Sequence, residues 1–230
     1  MNNQILLDKF NLSDEMLFQL EEYYKILVEE NEKINLTSIT EKEEVYIKHF
    51  FDSLLLTKEI DIINIKTMID IGTGAGFPGI PIKIMYPHLS LTLVEPTNKR
   101  CVFLQKVIDL LQLKDVTIIN DRAENYIKDQ REKYDLATAR AVSALNILSE
   151  IVIPFVKKDG VFIAMKGSNY QEEIENSIKG IKTLNAKIEK ITTYELPKHK
   201  GARVFITIKK VKNTPTTYPR QYAKIKKQPL

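Results

Sequence analysis

Two carboxylates and a run of glycines are the residues here with the most chemistry to offer. Asp70 opens the stretch Asp70-Ile71-Gly72-Thr73-Gly74-Ala75-Gly76-Phe77-Pro78-Gly79, and Glu95 closes the next apolar run, Leu91-Thr92-Leu93-Val94. Glycines lack a Cβ, so a chain carrying them can turn tightly and let a ligand approach its backbone. A following helix would add unpaired N–H groups and the positive end of its dipole. An acid at the end of a strand, alternating glycines and then a helix describe a nucleotide cradle. The acid already inside the loop suits a ligand with an amino-acid end better than one with a pyrophosphate.

Gly74-Ala75-Gly76-Phe77-Pro78-Gly79 also matches G-x-G-x-x-G, which keeps a dinucleotide reading open. Glu95 can accept from both ribose hydroxyls of either ligand and does not discriminate. Three features favour S-adenosylmethionine. Asp70 precedes the first glycine, where its carboxylate can help hold an ammonium. Pro78 removes a donor and Phe77 adds bulk, both unhelpful around a pyrophosphate. The chain also closes on a predicted β-hairpin, as methyltransferases do by analogy of fold.

The elements that must position these residues follow from periodicity and punctuation. Ser13 caps a predicted amphipathic helix over 13–34 with Leu17, Leu20, Tyr24, Leu27 and Val28 on its apolar face. Thr40-Glu41-Lys42-Glu43 reads as a capping box opening a second helix to about Lys58. Strands are then expected at 67–71, 90–95, 115–120, 134–139 and 160–166, with helices near 79–86, 98–112, 143–153 and 170–184. Two final strands, 188–195 and 203–210, flank the turn Pro197-Lys198-His199-Lys200-Gly201. The order βαβαβαβαβαββ predicts an α/β, Rossmann-like fold. Its seven-stranded sheet is mostly parallel, with a C-terminal antiparallel hairpin and N-terminal helices. The expected divisions are an N-terminal helical extension over 1–60, a class I methyltransferase domain over 61–212 and a basic, extended tail over 213–230.

Bulk properties narrow the setting. The chain has 230 residues, 43% of them hydrophobic, enough for a sizeable core. Its one cysteine, Cys101, permits no intramolecular disulfide. Met1-Asn2-Asn3-Gln4-Ile5-Leu6-Leu7-Asp8 lacks the features of a signal peptide, and no apolar run is long enough to span a membrane, so a cytoplasmic protein is expected. Three histidines without ligand spacing argue against a metal site. The net charge is +4, but it is unevenly placed: Lys209, Lys210, Lys212, Arg220, Lys224, Lys226 and Lys227 are followed by no acid. That asymmetry suggests a polyanion contact, with a solvated basic tail as the plain alternative.

Several further segments carry a resemblance. They are Asn35-Leu36-Thr37-Ser38-Ile39, His49-Phe50-Phe51-Asp52-Ser53-Leu54, the glycine loop through Pro81, and Lys99-Arg100 with Phe103-Leu104. Arg122-Ala123-Glu124, Thr138-Ala139-Arg140-Ala141-Val142, Lys166-Gly167, Arg203, Tyr218-Pro219-Arg220 and Pro229-Leu230 continue it nearly to the end. In this order they resemble the RsmG (GidB) family, bacterial methyltransferases of 16S ribosomal RNA. Pro96 after Glu95, where a small polar residue is expected, is a departure touching the geometry beside the ribose.

The resemblance implies methyl transfer from S-adenosylmethionine to N7 of a guanine in the conserved 16S loop near the decoding site. The implied partner is 16S rRNA or the small ribosomal subunit, met by a monomer. The cofactor-binding residues are then expected to be Asp70, Gly72, Gly74, Gly76, Phe77, Glu95, Ala123, Glu124 and Arg140. Glu95 would hold the ribose, Ala123 and Glu124 would frame the adenine, and Arg140 would sit beside the methyl donor and incoming base. Guanine N7 has an in-plane lone pair and no hydrogen, so no general base is expected. Arg140, Lys166, His49, Asp52 and Asn35 are candidates for positioning substrate, though His49, Asp52 and Asn35 equally suit packing or a helix-face hydrogen bond. Cys101 reads as a small buried apolar residue. A non-catalytic RNA-binding protein with the same pocket and an NAD-dependent oxidoreductase are the competing functions.

Overall fold

The computed structural model describes residues 2–140, 142–167 and 170–230, and the side chains from residue 3. Seven strands form one sheet in the order β3-β2-β1-β4-β5-β7-β6. They are β1 Thr67–Ile71, β2 Ser90–Val94, β3 Val116–Ile119, β4 Tyr134–Arg140, β5 Val156–Lys166, β6 Ala186–Glu195 and β7 Ala202–Lys210. All neighbours pair in parallel except β7, which inserts antiparallel between β5 and β6. The fold is the expected Rossmann-like one.

Alternation along the strands builds a core on each face. Met68, Leu91, Leu93, Leu136 and Ile163 face one side, packed against helices Asp14–Ile34, Gly79–Met85 and Asn98–Leu110. Ile69, Ala137, Ala139, Phe162 and Ile206 face the other, under helices Leu145–Val152 and Ile178–Thr183. The N-terminal helices thus share a core with the sheet. Glu59, its side chain fully buried, accepts from Thr192 Oγ1 at 2.8 Å and Tyr194 OH at 2.7 Å and ties their end to β6.

Several elements depart from the expected ones. Ser13 does cap the first long helix, accepting from Met16 N at 3.2 Å, but its buried face carries Tyr23 and Glu30 in place of Tyr24 and Val28. Glu30 is tolerated there because Lys106 and Lys33 both lie 2.9 Å away. The second helix is capped by Glu41, which accepts from Glu44 N, and not by Thr40. It runs on through a π-helical stretch, Tyr46–Phe51, into Asp52–Leu55. β5 starts at Val156 because the polar run Lys157-Lys158-Asp159-Gly160 is carried into the sheet across an irregular register with β4. The expected helix over 170–184 is two, Gln171–Glu175 and Ile178–Thr183, broken where Ser177 Oγ bonds back to Glu173 O. The helix between β3 and β4 is one short turn, Ala123–Tyr126.

The tail is the largest departure. It is not extended throughout: it contains the helix Tyr222–Lys227, whose Ile225 is fully buried. Lys210, counted among the C-terminal cations, is buried against Glu132 and the carbonyls of Ile153 and Val156, and burial pushes its ammonium down to about 8. Arg220 grips the buried Glu150 through Nε at 2.8 Å and Nη2 at 2.6 Å.

Candidate active site

Strand order reverses between β1 and β4, and ligands bind at such switch points in open parallel sheets. The chain leaves β1 through the glycine loop. Gly72 at φ +68° and Gly74 at φ +61° occupy left-handed conformations, and a Cβ on Gly74 would project into open space. Asp70 is fully buried beneath the loop. Its Oδ2 accepts from Thr73 Oγ1 at 2.7 Å and Gly79 N at 2.9 Å, while its Oδ1 has no partner. Burial pushes its carboxyl up to about 6 against the pull of those two donors. The Gly79 amide, which a pyrophosphate would need at this helix start, is therefore taken by an acid, which disfavours the dinucleotide reading.

Glu95 lies just beyond β2, buried, with Oε2 accepting from Gly74 N at 3.0 Å and Oε1 from Thr97 N at 2.9 Å. Between the ends of β1, β2 and β3 lies a cavity of about 220 Å³. Gly72, Val94, Pro96, Ala123, Glu124 and Val142 are among its walls. These features fit S-adenosylmethionine: a buried, unpartnered carboxylate oxygen, open space over Gly74, an acid at the end of β2 and apolar walls for a purine. Cys101 Sγ donates to Glu95 O at 3.2 Å, and burial pushes the thiol up, so it is a packed side chain and not a nucleophile.

Two expected cofactor residues face elsewhere. Phe77 is buried in an aromatic stack, 4.6 Å from the His49 ring and 5.3 Å from Tyr23, and like Asp70, Gly74 and Glu95 does not itself line the cavity. Its bulk and apolar ring are consumed by the core. Gly76 backs onto the first long helix: a Cβ there would meet Tyr23 OH at 2.7 Å and Ile80 Cδ1 at 2.5 Å. Tyr23 OH also donates to Ala75 O, so the helix braces the loop from behind.

A second cavity of about 610 Å³ opens at the ends of β4, β5 and β7 and shares Val142 and Ser143 with the first. The π-helical stretch turns Lys48, His49 and Asp52 toward it. Arg140, at the end of β4, donates to Asp52 Oδ2 at 2.9 Å and Lys48 O at 3.2 Å, and its Nη2 reaches His49 Nδ1 at 3.3 Å. Arg203 Nε lies 3.2 Å from Asp52 Oδ1, an ion pair without hydrogen-bond alignment. His49 Nε2 is 2.9 Å from Thr37 Oγ1. Burial, aided by Arg140, pushes the imidazole down to about 3, so it is neutral, accepts at Nδ1 and donates to Thr37. The two carboxylate oxygens of Asp52 thus face one guanidinium each.

Lys166 lines the cavity, but its ammonium is taken by Glu173 at 2.7 Å and Ser143 O at 2.5 Å. As a candidate for positioning substrate it has its charge already paired within the protein. It holds the segment after β4, and Glu173 assists by accepting from Leu145 N. Asn35 stands outside the cavity. It is exposed and caps the first long helix in a left-handed conformation, φ +50°. Ala141 of the Thr138–Val142 segment lies outside the described residues.

The site residues that sequence reasoning left unassigned are Lys48, Ser143, Glu173, Arg203 and Tyr222. Only Arg203 belonged to a quoted segment; the others carry no local pattern and are brought together by the sheet.

A family model described as "GidB: rRNA small subunit methyltransferase G" matches residues 16–201. The chain belongs to the GidB family. A relative from Bacillus subtilis (strain 168), "Ribosomal RNA small subunit methyltransferase G", is 48% identical over 96% of this chain and 93% of its own length. One of the same description from Staphylococcus saprophyticus is 46% identical over 100% of this chain and 97% of its own. Among solved structures the likeness concerns the fold alone: M. jannaschii TYW2 in complex with AdoMet superposes with a TM-score of 0.55 at 15% identity, covering 70% of this chain and 77% of that one. YcgJ from Bacillus subtilis gives 0.56 at 12% identity, over 72% of this chain and 100% of that one. GidB membership and the class I methyltransferase fold set aside the oxidoreductase reading.

Proposed function

We propose that the smaller cavity holds S-adenosylmethionine and the larger one receives a guanine of 16S ribosomal RNA, which takes the methyl group on N7. The protein is an S-adenosylmethionine-dependent methyltransferase of small-subunit rRNA. The observation that carries the division of labour is the wall the two cavities share, Val142 and Ser143, at the switch point of the sheet.

The cofactor supplies an electrophilic methyl on a sulfonium. The chain's own residues do the rest by holding and aligning, a contribution worth up to ~7–11 kcal/mol of the barrier. Asp70 fixes the glycine loop through Thr73 and Gly79 and keeps Oδ1 for an ammonium. Glu95 holds the ribose, and Ala123 with Glu124 borders the adenine. Arg140 is locked by Asp52, His49 and the Lys48 carbonyl, all of which accept from it. A guanidinium has five donors, so Arg140 retains some for guanine O6 or a phosphate, not for N7 itself, which needs its lone pair. No residue of this network is poised to remove a proton. His49 Nδ1 is occupied and Asp52 is neutralised on both sides, which matches an attack that needs no base. Lys166 positions the 143–145 segment. Outside the site, no helix among the described residues is long and apolar enough to cross a membrane. A monomer acting in the cytoplasm on the small subunit or its RNA fits this reading.

The test is direct. The purified protein, methyl-labelled S-adenosylmethionine and either 16S RNA or small subunits are incubated, and the RNA is digested to nucleosides. Label in 7-methylguanosine is expected. Label in another nucleoside overturns the N7 assignment, and RNA that is bound but unlabelled points to the non-catalytic reading.

A further inference from the structure

Three side chains are shared between the smaller cavity and an outer one of about 660 Å³: Arg122, Glu124 and Tyr222. They are bonded into a partition. Arg122 Nε donates to Glu124 Oε1 at 2.6 Å, and its guanidinium carbon lies 4.3 Å from the centroid of the Tyr222 ring. Arg122 and Glu124 come from the β3–β4 connection. Tyr222 comes from the opposite end of the chain, on the helix Tyr222–Lys227.

A ring at this place requires the chain to travel from β7 back across the sheet to the β3 side, and the route is fastened along its length. Glu132 Oε1 accepts from Thr214 N at 2.8 Å. Arg131 donates to Thr214 O at 2.9 Å and Tyr218 O at 2.5 Å. Arg220 clamps Glu150, and Ile225 is fully buried in the core on that face. So many buried and charged tethers fix the segment far more firmly than a basic solvated tail requires. Their combined effect is to set one aromatic face against the cavity that Ala123 and Glu124 border.

We infer that Tyr222 is a binding residue for the purine end of the cofactor, so that the C-terminal helix closes the pocket with an aromatic wall held by Arg122. The inference rests on the smaller cavity being the S-adenosylmethionine site. An aromatic side chain suits the flat, polarisable adenine, and Arg122, 4.3 Å from the ring centroid, fixes the orientation of the ring. The tail then serves the cofactor through Tyr222, while its exposed lysines remain available for RNA.

The experiment measures S-adenosylmethionine binding by calorimetry, and inhibition of methyl transfer by adenosine, which lacks the methionine end. Stacking of a base on an aromatic ring is strong enough that Tyr222→Ala should weaken both by roughly tenfold. Tyr222→Phe, which keeps the ring, should stay within about twofold of wild type by the same reasoning. The Michaelis constant for RNA should not move with either, and Lys226→Ala on the exposed side of the same helix should bind as wild type. If Tyr222→Ala lowers the melting temperature enough to confuse binding, Tyr222→Leu keeps apolar bulk without the aromatic face and should still bind more weakly than Tyr222→Phe. Wild-type binding by Tyr222→Ala or Tyr222→Leu, with binding lost in Glu95→Ala, overturns the inference and leaves the pocket standing. Wild-type binding by both Tyr222→Ala and Glu95→Ala overturns the pocket assignment as well.

Discussion

The two cavities are built on opposite principles. The smaller is built around backbone: glycine amides and a helix start beside apolar walls, with Arg122, Glu124 and Tyr222 at its outer side, and its buried acids Asp70 and Glu95 take N–H or hydroxyl groups of the glycine loop and its flanks, save one oxygen of Asp70. The larger is made of long charged side chains that neutralise one another across the fold, Asp52 from the N-terminal helices, Arg140 from β4 and Arg203 from β7. A local cradle tolerates loss of one contact, because the backbone stays where the strand puts it. A network of charges gathered from distant segments does not, since removing one member leaves its partner buried and uncompensated.

The sharpest way to break this contrast is Arg140→Ala. Asp52 is almost fully buried, and losing one of its two cations should cost on the order of 3 kcal/mol of stability. Methyl transfer should fall at least a hundredfold as alignment is lost. Arg140→Lys should recover part of the stability but little of the activity, because an ammonium cannot replace the fork. Thermal melts together with initial rates check both; a stable, active Arg140→Ala would mean that the network is ordinary surface.

Glu95→Ala tests the other cavity. Losing charge-assisted hydrogen bonds to a ribose should weaken cofactor binding by about 1.5–3 kcal/mol, with RNA affinity unchanged. Calorimetry giving the wild-type constant would place the ribose elsewhere.

Acid should separate the halves by sign. His49 is neutral with its folded pKa depressed from 6.5 to about 3, so its contribution is complete above pH 6.5 and is lost as pH falls toward 3. Between pH 6.5 and 5 that amounts to about 2 kcal/mol. Asp70 acts oppositely: its folded pKa is raised from 3.8 to about 6, so the folded state takes up the proton first and is favoured as pH falls through 6. It should return about 1 kcal/mol over the same interval. His49→Phe should therefore flatten the acid limb of stability and Asp70→Asn steepen it. Parallel pH–stability curves for both variants would refute the opposition.

The smallest effect is expected from reversing the charges of Lys224, Lys226 and Lys227, all exposed. Each lost phosphate contact should shallow the salt dependence of RNA binding by at most about one log–log unit, without touching cofactor affinity. Identical salt slopes for wild type and variant would leave these lysines as solvated charge.

What was legible in the sequence divides along the same line. Asp70, the glycines and Glu95 sit within short motifs whose conformation is set locally and could be read from spacing, whereas Ala123 and Glu124 were named only through the family resemblance. Parallel strands read clearly because both faces are buried. Arg203, Glu173 and Tyr222 carry no such signal, because their meaning depends on which strands become neighbours. Two residues of the loop pack differently from the reading, and for one reason. Phe77 and Gly76 were expected to face a ligand, but both face the first long helix, whose Tyr23 was hidden by its neighbour Tyr24. The basic C-terminal stretch was misread because charge predicts solvent, whereas Lys210 is buried against Glu132 and Arg220, partly exposed, is paired with the buried Glu150.

The ion pair between Asp52 and Arg203 also sets a timetable. A ribosome making this chain emits the helix carrying Asp52 early and β7 only near the end, about 150 residues later by their numbering. Until then the acid has no second cation, and the antiparallel strand that supplies it cannot insert between β5 and β6. The glycine loop and Glu95, complete in their sheet contacts once β4 is out, can form first; the RNA cavity waits for β7, and the Tyr222 wall of the cofactor pocket follows it. A chain released before β7 would thus hold the glycine loop and Glu95 but neither the Tyr222 wall of the donor's pocket nor the second cation of the acceptor's.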